Sequence, residues 1–374
     1  MSLRPASKQK YSRGLGALFG CLITLVILFT ALPREQSVKA QALNKIFLPL
    51  VILPQPTTQS HEVLLGVYIL SLANTQANID KELTSLDAWT GKQTSLAGRF
   101  QDLTNSSSVQ MGIPLELLWD NGYTSMINFM LPTWADLDDL NNGDLDADIL
   151  AWAQAFEDWA DQGGDRMAFI APFPEMNITY NWWGGDPQAF KDAWDRVQQI
   201  FSQAGVQNDM VAWIFAPNGW TAPGDPPISA YYPGASKVDI VGFSSYNWGF
   251  CPGLPGDSWE LGYDLYNPYV SILKALAPGK PIFIMQTATS SEYPSNGQFT
   301  PSKKDEWFLD VYPYIVENLS SIKAIMYFNV EPAGSCDWKF YTQGSLQYQG
   351  YADAVQDPGF IYVPPDQMKA RFLP

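Results

Sequence analysis

Short apolar runs alternate along most of this chain with segments of helical periodicity, and that alternation narrows the fold more than any other feature. Leu64–Leu70, Ser125–Met130, Met167–Ala171, Val211–Phe215, Val238–Phe243, Pro281–Met285 and Ile322–Phe328 read as β-strands, with a weaker eighth around Leu96–Leu103. Between them, Asp146–Asp161 carries Ile149, Trp152, Phe156 and Trp159 at three-to-four spacing. Phe190–Ala204 repeats the pattern with Phe190, Trp194, Val197 and Phe201, and Lys303–Leu319 with Trp307, Phe308, Val311 and Ile315. Strands separated by amphipathic helices indicate parallel βαβ units. Eight such units in about 300 residues suit an α/β fold of the (β/α)8 TIM-barrel type, in a single catalytic-type domain over 62–374.

The N-terminus reads differently. Residues 1–13 are basic, Leu15–Leu32 is almost wholly apolar, and small residues follow around Ala40 and Ala42. This pattern predicts a signal peptide over 1–40, with an uncleaved membrane anchor as the other reading. Residues 41–61, broken by Pro49, Pro54 and Pro56, read as a linker. A secreted or extracellular location follows, either free or held at the membrane through the apolar segment.

Composition removes whole classes of chemistry. The only histidine is His61, so the sequence offers no Ser-His-Asp triad, no Cys-His dyad and no histidine zinc site. No Gly-rich phosphate loop is present, and the sequence implies neither cofactor nor metal. Past residue 40 the chain carries 16 basic against 37 acidic side chains, a surface that repels nucleic acid and anionic membranes. Carboxylate chemistry remains. Fourteen tryptophans suit a protein that grips sugars, although a large core would use many of them too. Cys251 and Cys336 are an even pair in an exported chain, so a disulfide between them is plausible.

In such a barrel the site lies at the strand C-termini. Glu175 follows the fourth strand, Asn218 and Trp220 the fifth, and Ser244 to Trp248 the sixth. Gln286 ends the seventh, and Asn329 and Glu331 end the eighth, with Trp338 beyond. A carboxyl group beside aromatic rings can be held protonated and donate to a glycosidic oxygen. Indole faces offer flat apolar surfaces to pyranose C–H groups. The blander alternatives are a helix-capping Glu175 and tryptophans that pack the rim.

Pro174-Glu175-Met176-Asn177 followed by Trp182-Trp183-Gly184 resembles glycoside hydrolase family 26, the β-mannanase family of the retaining (β/α)8 clan. Trp213-Ile214-Phe215-Ala216-Pro217-Asn218, Tyr232-Pro233-Gly234, Val238–Phe243, Ser245-Tyr246-Asn247 and Lys280-Pro281-Ile282 extend the resemblance over about residues 62–350. It implies that Glu175 is the general acid/base and that Tyr246 orients the nucleophile. It also implies that Trp183, Trp220 and Trp248 line subsites; Asn177, Asn218 and Trp338, gathered at the same barrel face, are further candidates for binding substrate. Where the family has its nucleophilic glutamate, this chain has Gln286, and an amide cannot form the glycosyl ester. Glu331, Glu292 and Asp120 are candidates for a displaced partner. The expectation is a monomeric glycosidase acting on a β-1,4-mannan or a related β-linked polysaccharide, with no protein partner evident. The alternative is a silent barrel that binds polysaccharide without cleaving it.

Overall fold

The computed structural model describes residues 61–69, 73–103, 111–249, 251, 259–293, 298–299, 301–330 and 336–373. The predicted signal and nearly all of the predicted linker lie outside these residues. Eight parallel strands close on one another: β1 Val63–Tyr68, β2 Leu96–Asp102, β3 Thr124–Met130, β4 Ala168–Pro172, β5 Val211–Phe215, β6 Ile240–Ser244, β7 Ile282–Thr287 and β8 Ile322–Tyr327. Closure is made by β1 against β8, with Leu64 opposite Ala324 and Val67 opposite Tyr327. This is the predicted TIM barrel.

Helices follow each strand: α1 Ser85–Thr90, α2 Gly112–Asp120, α3 Asp146–Ala160, α4 Pro187–Gln203, α5 Ile228–Tyr231, α6 Gly262–Leu276, α7 Pro301–Asn318 and α8 Gln349–Ala354. The start of α4 shows how local sequence sets an end. Asp186 accepts from the Gln188 and Ala189 amides, and Pro187 occupies the first turn, where its missing N–H is not needed. The apolar stripes then meet the outer barrel wall, where Trp152, Phe156 and Phe201 pack on Phe129 and Trp213.

Side chains of every second strand residue fill the barrel. Leu64, Leu96, Met126, Phe169, Ile214, Ile240, Phe283, Met285, Ala324 and Met326 form that inner core, as a period of two requires. Space is tight enough that a Cβ on Gly66 would lie 2.0 Å from Met326 Sδ. At the strand N-termini a last helix, α9 Pro365–Phe372, closes the barrel, and Phe372 packs edge-on against Phe169 and Phe283.

One irregularity positions the site. Pairing of β7 with both β6 and β8 shifts register near its end: Phe243 faces Ile284, but Ser244 faces Gln286. The extra residue in β7 is a bulge, which re-aims side chains. Met285 points into the barrel core, Gln286 reaches Tyr246 at the mouth, and Thr287 turns back outward to the Tyr266 hydroxyl on α6.

Candidate functional site

The turn after β4 is strained. Phe173 and Glu175 both adopt left-handed backbone, with φ of 50° and 59°. Neither is glycine, and each such residue costs on the order of 1 kcal/mol. Neighbouring strands hold the turn in place: the Phe173 amide donates to Phe129 O at 2.9 Å and the Glu175 amide to Ala216 O at 2.8 Å. Asn181 Nδ2 donates to Glu175 O at 3.0 Å, and Trp183 Nε1 to Pro174 O at 2.7 Å.

The Glu175 carboxyl is thereby fixed at the mouth. Burial raises its pKa, while the Ser244 hydroxyl and the Asn218 side chain facing it offset part of that rise. A carboxylic acid so placed keeps its proton to higher pH than a solvated glutamate. Burial, and next the nearby Glu175 charge, push the Tyr246 hydroxyl well above its ordinary value, so it remains a donor. It donates to Gln286 Oε1 at 2.8 Å.

Aromatic rings wall this end of the cleft. Tyr246 stacks on Trp338 at 4.7 Å and 13°, and Trp248 meets Trp338 edge-on at 4.9 Å. Cys251 and Cys336 form a disulfide with their Cα atoms 5.1 Å apart. It joins the loops after β6 and β8, three residues beyond Trp248 and two before Trp338. Trp134, Tyr180, Trp182 and Trp220 are 64%, 78%, 43% and 55% exposed on the loops after β3, β4 and β5. A cavity of about 330 Å³ lies among Asn218, Trp220, Ser244, Tyr246, Trp248 and Glu260. A larger hollow of about 1040 Å³, bordered by Asp209, Lys280, Lys323 and Arg371, lies at the opposite end of the barrel, away from these groups.

The structure therefore gathers Glu175, Asn218, Tyr246, Trp248, Gln286 and Trp338 at the mouth, with Trp220 at its rim. Two residues from the sequence reading are placed behind it. Asn177 is fully buried, and its amide donates to Asn218 O, Trp220 O and Thr221 Oγ1 while accepting from the Asn218 amide. That side chain locks the loop after β5. Trp183 is buried under the turn, and its neighbour Trp182 is the exposed ring. Asn329 is likewise spent on backbone groups of Phe340 and Tyr341.

Asp120 must be removed from the candidates. It ends α2 just before β3 begins, which puts it at the strand N-terminal end, because barrel helices run antiparallel to their strands. The Glu331 and Glu292 side chains lie outside the described ones. One group escaped the sequence reading. Glu260 lies thirteen residues beyond Asn247, whose side-chain oxygen accepts its amide at 2.8 Å, and nothing local marks it. Among the described residues, no three His, Cys, Asp or Glu side chains gather to hold a metal.

Residues 123–253 match the sequence profile described as Glycosyl hydrolase family 26. The match carries Glu175 and Tyr246 and ends before β7. Over an alignment 110 positions long that covers 26% of this chain, the sequence is 27% identical to mannan endo-1,4-β-mannosidase A and B of Caldalkalibacillus mannanilyticus. The alignment spans 20% of that relative's length. The barrel superposes on the family 26 domain of an endo-β-mannanase/endo-β-glucanase from Prevotella bryantii with a TM-score of 0.56 and 15% identity, covering 82% of this chain and 92% of that one. The catalytic domain of a Bacillus sp. family 26 endo-β-1,4-mannanase gives 0.58 and 14%, over 80% and 87% of the two chains. A modular endo-β-1,4-mannanase from Cellulomonas fimi gives 0.57 and 14%, over 82% and 73%. The chain resembles glycosyl hydrolase family 26, and its fold is that of the mannanases.

Proposed function

We propose that this chain is a secreted glycoside hydrolase acting on a β-1,4-mannan or a related β-linked polysaccharide, with Glu175 as the general acid. The observation that carries this reading is Glu175 itself: a strained, braced glutamate with a raised pKa, beside exposed aromatic faces. Strain of this kind collects at functional sites. The resemblance to family 26 supports the substrate class.

In the proposed reaction Glu175 gives its proton to the glycosidic oxygen as the C1–O bond breaks. Positive charge develops at C1. Gln286 cannot form an ester there, so water adds to C1 and its proton passes to a carboxylate. We assign that proton to Glu260, which borders the cavity with Ser244 and Tyr246. Exported enzyme, with residues 1–40 removed or retained as an anchor, would meet such polymers outside the cell. N-terminal sequencing of exported protein tests that step.

A second reading draws on Gln286. An amide at the nucleophile position can hydrogen-bond a sugar hydroxyl but cannot stabilise a cation by charge, which favours a binding barrel without turnover. Incubation with insoluble mannan separates the two. Release of reducing ends supports the hydrolase, whereas pull-down without release supports the binder. Neither binding nor release would remove both.

A further inference from the structure

Lys304 sits in the first turn of α7, yet its side chain is fully buried. Lysine is almost never buried so completely unless it is paired. Its ammonium donates to Asp337 O and, at 2.9 Å, to Lys339 O. The Asp337 carboxylate is 3.8 Å away and the Tyr348 ring 4.8 Å. Between those two carbonyls, Trp338 O accepts the Tyr327 hydroxyl at 2.8 Å. Three consecutive carbonyls, flanking and including Trp338, are thus bound by side chains from α7 and β8.

Trp338 Nε1 is buried and has no hydrogen-bond partner among the described residues. The indole is therefore held by ring stacking and by its own backbone. Its backbone is held by these three carbonyls and, just beyond, by Asn329 on the Phe340 and Tyr341 amides. Desolvating an ammonium is costly, so an apolar residue at 304 would serve stability alone at least as well. What the ammonium adds is multivalent geometry: donors that draw separate carbonyls to one point, as a bound cation would.

We infer that Lys304 is a positioning residue, a built-in cation that fixes Trp338 against Tyr246 and thereby sets the Gln286 end of the cleft. The inference rests on the reading of this cleft as a polysaccharide site. A displaced Trp338 backbone would move the ring on which Tyr246 stacks, and with it the hydroxyl that orients Gln286.

The test compares wild type with K304M, which keeps length and volume but removes the charge, and with Y327F, which frees the middle carbonyl. Two readouts are taken: quenching of tryptophan fluorescence by soluble mannan, and hydrogen-exchange protection of the Phe340 and Tyr341 amides. Both variants are expected to lose protection there and to bind about tenfold more weakly. K304A should regain protection when propylammonium fills the vacated channel. Wild-type protection and affinity in K304M overturn the inference, as does K304A that propylammonium leaves unchanged. If K304M does not fold, Y327F and the propylammonium rescue decide. If wild type binds no mannan, the cleft reading fails, while the exchange measurements still decide the role of Lys304.

Discussion

The Tyr246 hydroxyl donates to Gln286 Oε1 at 2.8 Å across the ends of β6 and β7. Two features make that contact possible. The β7 bulge aims Gln286 at the mouth, and stacking on Trp338 sets the tyrosine ring. A phenol pushed well above its ordinary pKa suits an acceptor at 286 whether that acceptor is an amide or a carboxylate. An acceptor at 286 is therefore held by the Tyr246 hydroxyl, and in this chain that acceptor carries no charge.

Gln286→Glu should accordingly create or greatly raise activity. A lost nucleophile typically removes several kcal/mol of transition-state stabilisation, or orders of magnitude in rate. The assay is hydrolysis of an aryl β-mannoside, whose good leaving group needs little acid help. A folded glutamate variant that stays inert would mean the cleft has diverged beyond this residue. Fast, retaining wild-type turnover would show instead that position 286 does not hold the nucleophile.

Glu175→Gln should abolish hydrolysis while leaving the fold intact. Burial raises the folded pKa of Glu175 above its unfolded value, so the folded state holds the proton more tightly. Its contribution to stability is fully present below the unfolded pKa and is lost as pH rises through the folded pKa. The glutamine variant should therefore lose less stability than wild type between acid and neutral pH. The alkaline limb of activity expected of wild type above the ordinary carboxylate range should vanish with the activity. Unchanged turnover would remove Glu175 as the acid.

Much of the barrel was legible because period two and period 3.6 survive in its strands and longer helices. Val211–Phe215 is found as expected, and α3 ends within one residue of the expected Asp161. Elsewhere the local signal conflicts with the packing. The helix α6 carries Pro268 inside it, which reads as a break. The bulge beside Gln286 follows from register with two neighbours, and no glycine marks it. Trp182 and Trp183 are adjacent in an irregular turn, where no periodicity tells the exposed ring from the buried one. Lys304 follows Lys303 in an apparent solvent face, and only the distant carbonyls near Trp338 explain its burial.

Loss of the Cys251–Cys336 disulfide should act on both stability and the site. The bridge closes a separation of 85 residues, and constraint of the unfolded chain at that length is worth about 4.5 kcal/mol in the chain-entropy description. The paired change Cys251→Ala and Cys336→Ala should lower Tm by several degrees. Far below the transition the barrel remains folded, so a separate loss of mannan affinity there reports the slackened Trp248–Trp338 wall. Equal affinity at low temperature would confine the bridge to stability.

Asp87 carries a pH dependence that belongs to the scaffold alone. It accepts from the Tyr123 hydroxyl at 2.7 Å and from the Thr94 amide and hydroxyl at 3.0 and 2.7 Å, which favour its charged form. Burial outweighs them and lifts its pKa to about 6. An unfolded aspartate titrates near 3.9. Between these values the folded state binds more protons than the unfolded chain, so stability falls as pH rises through the window. The full effect is at most about 3 kcal/mol, less whatever solvent screens at this partly buried position. Asp87→Asn removes the titration and keeps an oxygen for Thr94, with an amide that can donate to the Tyr123 hydroxyl. Urea unfolding of both proteins from pH 4 to 7 checks this. The difference in stability between variant and wild type should shift in the variant's favour as pH rises, chiefly between about pH 4 and about pH 6. A difference that stays flat across the range would show that Asp87 titrates as an ordinary solvated carboxylate.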